Sequence, residues 1–202
     1  MLNEKLFARI KSVYDSKDSL KLNPEQARLL EETYKGFVRN GSNLAGENKA
    51  KFKEINKELS QLGLQFGQNV LAATNKFFLT ITDSSQLKGL PDYVKEMGAA
   101  EAKEKSVKGW VFTLQAPSYG PFMQYSENRE LKEKMWKASN TKAFNDEFDN
   151  REIVKKIAGL RIERANLLGF ATHADYVLDE NMAKNPKTAN AFLKDLLHTT
   201  LP

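Results

Sequence analysis

The chain has two imidazoles, His173 and His198, standing 25 residues apart. A helix-borne His-Glu-x-x-His motif holds zinc between two histidines four residues apart on one face, with the glutamate activating the metal-bound water. That spacing does not occur in these 202 residues. His173 lies two positions before Asp175, and with Ser118 or Ser126 it offers the residue types of a nucleophilic triad. No glycine-bracketed serine forms a nucleophile elbow, so His173 reads instead as a first-turn helix residue that packs or caps. His198 falls in a leucine-rich final segment and reads as a surface or lobe-interface position. The carboxylates Asp146, Glu147, Asp149 and Glu152 suggest calcium, but the glycine and terminal glutamate of an EF-hand loop are missing, and a solvated acidic loop is the simpler reading. Without cysteine there is no thiolate catalysis, thiolate metal site or disulfide. We assign no catalytic, cofactor-binding or metal-binding residue.

The elements that would carry any site are mainly helical, and their ends are well marked. Asn23-Pro24-Glu25-Gln26 supplies a cap, a first-turn proline and a capping-box partner ahead of Ala27, Leu30, Tyr34, Phe37 and Val38. This helix stops at Asn40-Gly41. The next starts near Asn43 or Gly46, aligns Phe52, Ile55, Leu59, Leu62, Phe66 and Val70, and runs to about Asn75. A helix from about Asn3 to Tyr14, with Leu6, Phe7 and Ile10 inward, is expected to pack against this pair. Gly63 and Gly67 on the long helix read as the site of a close helix crossing, since no P-loop lysine follows them.

From Lys76 the period changes to two: Phe77, Leu79 and Ile81 alternate with Phe78, Thr80 and Thr82. Paired with the run WVFTL at 110–114, this predicts a small two-stranded antiparallel element. Between the two, a helix from about Pro91 to Lys105 offers Val94, Met97 and Ala100 as a thin apolar face. Pro117, Gly120 and Pro121 predict a turn leading to a short helix near Phe122–Tyr125. Asn128 caps a helix bearing Leu131, Met135 and Ala138, and FNDEFDN separates it from a helix starting near Asn150 and stopped by Gly169. Thr172 with Asp175, and Asn185-Pro186, mark two further starts; the last helix carries Phe192, Leu193, Leu196 and Leu197. The aromatics Trp110, Phe112, Tyr119, Phe122, Tyr125 and Trp136 read as core, with Tyr119 and Tyr125 the two able to face a cleft.

Composition bounds the partners. At 41% hydrophobic and 28% charged residues, this is a folding composition. The net charge of +5 arises from lysines interleaved with glutamates, as in KAKFKEINKE at 49–58, and no basic stripe or RNA-binding aromatic pair accompanies it, so no nucleic-acid partner is expected. No apolar run approaches the ~20 residues that cross a bilayer, so no membrane partner is expected either. No targeting signal is visible, which makes cytoplasmic the expected location, with export of a longer parent left open.

The segment GWVFTLQAPSYGPFMQYSENRELKEKMW (109–136), echoed by LRIERANLLGFATHADYVLDENMAKNP (160–186), resembles the thimet-type oligopeptidases, a family of zinc metallopeptidases, and within it the bacterial peptidyl-dipeptidases most. The opening LFARIKSVYDSKDSLKLNPEQARLLEETYKGFVRNGSNL and the helix KFKEINKELSQLGLQFGQNVLAATNKF resemble the same branch, so the likeness covers nearly the whole chain in the right order. The periodicities and the resemblance together predict a mainly α fold: one multi-helix lobe over residues 1–202, with long antiparallel amphipathic helices and one small two-stranded antiparallel element. It implies a parent enzyme that binds zinc, acts on short peptides and releases dipeptides from their C-termini. This chain would supply the non-catalytic part and one wall of the substrate channel. None of the family's ligands or catalytic residues matches a position here, so the chain is expected to hold no zinc, to be inactive alone, and to need the missing catalytic lobe as its partner. The alternative is a self-standing helical binding or interaction module without catalysis.

Overall fold

The computed structural model describes residues 4–201. It is mainly α-helical, with nine α-helices among the described residues and one two-stranded sheet. The chain gathers into two compact units. One takes in the residues up to Gln61 together with those from Ile157 onward, and the other is Leu62–Lys156.

In the first unit, α1 (Glu4–Asp15) packs on α2 (Pro24–Arg39). The capping box at Asn23 forms as expected: Gln26 N–H donates to Asn23 Oδ1 at 2.8 Å, and Asn23 N–H donates to Gln26 Oε1 at 3.1 Å. Phe7 is buried and stacks on Tyr34 and Phe37, each at 5.9 Å between centroids. Leu6 is exposed, and Ile10 only half-buried, so Phe7 alone fills the inward position of this turn. The expected first residue of α1, Asn3, lies outside the described residues.

The long helix α3 (Gly46–Lys76) buries Phe52 and Ile55. Along its middle the expected stripe opens, and Gly63–Gln68 are all exposed. A Cβ at Gly63 or Gly67 would meet nothing within 4 Å among the described residues, so these glycines do not serve a close helix crossing. After the acidic loop, α7 (Arg151–Leu167) buries Ile153, Leu160 and Ala165. It stops at Gly169, whose φ of +87° is the left-handed geometry of a helix C-terminus. The capping box at Thr172 opens α8 (His173–Leu178), and Asn185 caps α9 (Pro186–Thr200).

The second unit is built around the sheet. β1 (Phe78–Ile81) pairs antiparallel with β2 (Trp110–Thr113), Phe78 opposite Thr113 and Ile81 opposite Trp110. Against it lies α4 (Asp92–Glu104), whose buried residues are Val94, Gly98 and Ala102. The expected face of Val94, Met97 and Ala100 is therefore rotated, with Met97 and Ala100 exposed. Close approach explains this: a Cβ on Gly98 would lie 2.9 Å from Phe112 Cζ, so the smallest residue marks where helix and sheet meet. The core joins Ile81, Leu87, Leu90, Val94, Phe112, Leu114, Phe122, Leu131 and Met135. Fully burying a side chain the size of Leu or Phe stabilises by about 1.5–3 kcal/mol, so these residues hold the unit together.

The segment after β2 forms α5 (Ala116–Tyr125), a full helix where the prolines had suggested a turn and a shorter helix. Pro117 falls in the first turn, where its missing N–H costs nothing, and Pro121 omits one rung further along. It leads to α6 (Arg129–Asn140), capped by Asn128.

Candidate functional site

A concavity of about 660 Å³ in the second unit lies between the end of α5 and the outer face of α6. Its lining is Met123, Ser126, Glu127, Arg129, Lys132, Glu133 and Trp136. Local sequence fixes this geometry. Leu131 and Met135 turn α6 inward, which leaves Arg129, Lys132, Glu133 and Trp136, at helical spacings of three and four, on the opposite stripe. Asn128 Oδ1 accepts from Leu131 N–H at 3.2 Å, and the buried Ser126 Oγ accepts from Asn128 N–H at 3.2 Å. Beneath the turn, Gly89 has φ +86°, and a Cβ there would stand 2.3 Å from the Tyr125 carbonyl oxygen.

Trp136 is 54% exposed and is not the core residue the sequence suggested; Phe112 and Phe122 are core, with centroids 4.7 Å apart. Tyr119 packs against the core, whereas Tyr125 is exposed. The missed signal was the helical register of α6, which sets Trp136 among charged residues and away from Leu131, Met135 and Ala138. Charge on the groove rim is unevenly matched. Glu127 pairs with Lys88 at 2.9 Å and Glu133 with Lys137 at 2.6 Å, while Arg129 and Lys132 join no ion pair among the described residues. Lys137, with a smaller contribution from Arg129, holds the Glu133 carboxyl below its ordinary range, so it is ionised at neutral pH.

The groups weighed for a triad already serve other partners. Ser118 Oγ accepts from Thr113 N–H at 2.9 Å, and Asp175 Oδ2 accepts from Thr172 Oγ1 at 2.7 Å and Thr172 N–H at 3.1 Å. His173 opens α8; its Nδ1 is buried without a hydrogen-bond partner among the described residues. Burial first, then Arg161 and Arg164, depresses its pKa below the ordinary 6.5, so it is neutral at pH 7. Nearby, Arg39 joins α2 to α8: Nη1 donates to Asp179 Oδ2 at 2.8 Å, and the guanidinium lies 4.4 Å from the Tyr176 ring centroid. His198 is exposed in the last turn of α9.

The acidic loop is divided among separate partners. Asp146 accepts from Phe148 N–H, Glu147 pairs with Lys76, Asp149 with Arg151, and Glu152 with Lys155. Among the described residues no group of three His, Asp or Glu side chains could hold a metal ion. The zinc that the resemblance implies therefore finds no donor set here, and the one buried imidazole nitrogen without a partner has two arginines for neighbours, which oppose a dication.

Comparison with known proteins decides the kinship. Residues 122–202 match the model of Peptidase family M3. Oligopeptidase A of Escherichia coli is 33% identical over 205 residues, covering 99% of this chain and 30% of that protein. Oligopeptidase A of Haemophilus influenzae is 36% identical over 182 residues, covering 88% of the chain and 27% of that protein. Dipeptidyl carboxypeptidase of Escherichia coli is 34% identical over 198 residues, covering 97% and 29%. The chain belongs to peptidase family M3. Family M3 peptidases are metallopeptidases. The chain spans about 30% of the length of these M3 relatives. The groove residues, from Met123 to Trp136, and His173 lie within the matched segment 122–202, whereas Arg39 lies outside it.

Proposed function

We propose that this chain is the non-catalytic part of a zinc-dependent M3 peptidase that releases dipeptides from the C-terminus of short peptides. Its helices form a lobe that supplies part of the substrate-channel wall, and the zinc ligands and catalytic glutamate belong to a separate lobe that this chain needs as a partner. A wall of packed helices around a recessed metal admits short extended peptides and excludes folded proteins. The chain alone is inactive, and the parent acts in the cytoplasm or, if exported, outside it.

The observation that carries this reading is the combination of near-complete coverage of the chain by M3 relatives with coverage of less than a third of those relatives. Identity to oligopeptidase A and to dipeptidyl carboxypeptidase is nearly equal, so the dipeptide-releasing specificity rests on the resemblance of 109–136 and 160–186 to the peptidyl-dipeptidase branch.

The test is dipeptide release from an N-blocked tripeptide and longer peptides by the product of the complete gene, compared with this chain and repeated with a chelator. Chelator-sensitive dipeptide release by the complete product, and none by this chain, is the expected result. Turnover by this chain alone, or internal cleavage without dipeptide release by the complete product, contradicts the proposal.

A further inference from the structure

We propose that the α5–α6 groove is a binding site for an acidic peptide segment, in which Met123 and Trp136 receive an apolar side chain while Arg129 and Lys132 engage flanking carboxylates. The site lies wholly within Leu62–Lys156 and does not depend on the channel-wall reading.

Four observations converge on this ligand. A volume of about 660 Å³ is in the range of small-ligand and short-peptide sites. Trp136 is half exposed on an otherwise polar stripe, and an indole left in water is a large apolar surface suited to cover an aliphatic or aromatic side chain. The rim carboxylates, Glu127 and Glu133, already have lysine partners, whereas Arg129 and Lys132 have none among the described residues, so the unmatched charge is positive. Ser126, 3% exposed, lines the groove with its oxygen accepting from Asn128 N–H, which leaves the hydroxyl hydrogen for a peptide carbonyl or carboxylate.

The groove is also preformed. The Asn128 cap, the buried Ser126 and the close Gly89 turn hold its floor, so little ordering is lost on binding. A polyphosphate chain, charged at every unit, would set some of its charges against Glu127 and Glu133, whereas a peptide that alternates acidic with apolar residues can place its carboxylates at Arg129 and Lys132 alone.

The experiment titrates this chain with the blocked peptide acetyl-Glu-Leu-Asp-Leu-amide and with its Gln/Asn and Lys counterparts. Trp136 emission is followed, with Trp136→Phe separating it from Trp110. The acidic peptide should bind about fivefold or more tightly than the neutral one, with salt weakening it, as two partly exposed ion pairs allow. Arg129→Ala with Lys132→Ala should abolish that preference without changing far-UV circular dichroism, and the paired Glu substitutions should transfer it to the Lys peptide. Equal affinity for all three peptides, no binding at millimolar concentration, or a preference that survives the double alanine variant would overturn the proposal. So would tighter binding of oligothymidylate that displaces the acidic peptide.

Discussion

Asn69 donates from Nδ2 to Asn150 Oδ1 at 2.9 Å, and Asn150 passes the chain of bonds on by donating from its own Nδ2 to the Phe66 carbonyl at 3.2 Å. Asn150 is 4% exposed and stands at the start of α7, where its carbonyl accepts from Val154 N–H. One amide thus fixes the end of the acidic loop to α3. A buried hydrogen-bond partner removed without replacement costs about 1–3 kcal/mol, so Asn150→Ala should lower the unfolding free energy measured by urea titration by that amount. Asn69→Ala should cost less, because Asn69 is only partly buried. The double variant should fall short of the sum, since both changes remove one shared bond.

Two kinds of helical glycine should respond oppositely to alanine. At Gly63 and Gly67 a Cβ meets nothing within 4 Å among the described residues, so each substitution should stabilise by about 0.5–1 kcal/mol through helix propensity alone. At Gly98 the Cβ would press on Phe112 at 2.9 Å, and overpacking should cost about 1–3 kcal/mol. Chemical unfolding of the three single variants measures both signs.

His173 makes stability pH-dependent in a stated direction. Its folded-state pKa is depressed, by burial first and then by Arg161 and Arg164, so the unfolded chain takes up a proton more readily. The contribution of the neutral imidazole is fully present above the ordinary value of 6.5 and is lost as pH falls through the depressed one. Between pH 7 and 5 the wild type should therefore lose more stability than His173→Gln. A proton NMR titration of His173 should give a midpoint below 6.5; a midpoint above it would contradict this account.

The last helix presents Phe192, Leu193, Leu196 and Leu197 to solvent, at positions that share one face. In isolation this chain should associate through that face as concentration rises. Sedimentation equilibrium should show a concentration-dependent mass for the wild type and a monomer for Leu196→Glu with Leu197→Glu. A strict monomer for the wild type would mean the stripe is too small to hold a second copy.

Element types and ends could be read from the residues because they are local matters. A capping box such as Asn23 with Gln26, or Thr172 with Asp175, is closed within four residues, and the alternation that predicts β1 spans only a few more. Family kinship was likewise carried in the order of residues, through segments such as 109–136, whereas no site residue could be named from them. What covers each side chain was a different matter. That α4 turns Gly98 rather than Met97 toward Phe112, that Pro117 and Pro121 sit inside α5, that Trp136 stands in water beside Arg129 and Lys132, and that Asn150 reaches Phe66 all depend on partners brought close only by folding. Helical period says which residues share a face, but the face that is buried is settled by the shape and volume of whatever packs against it.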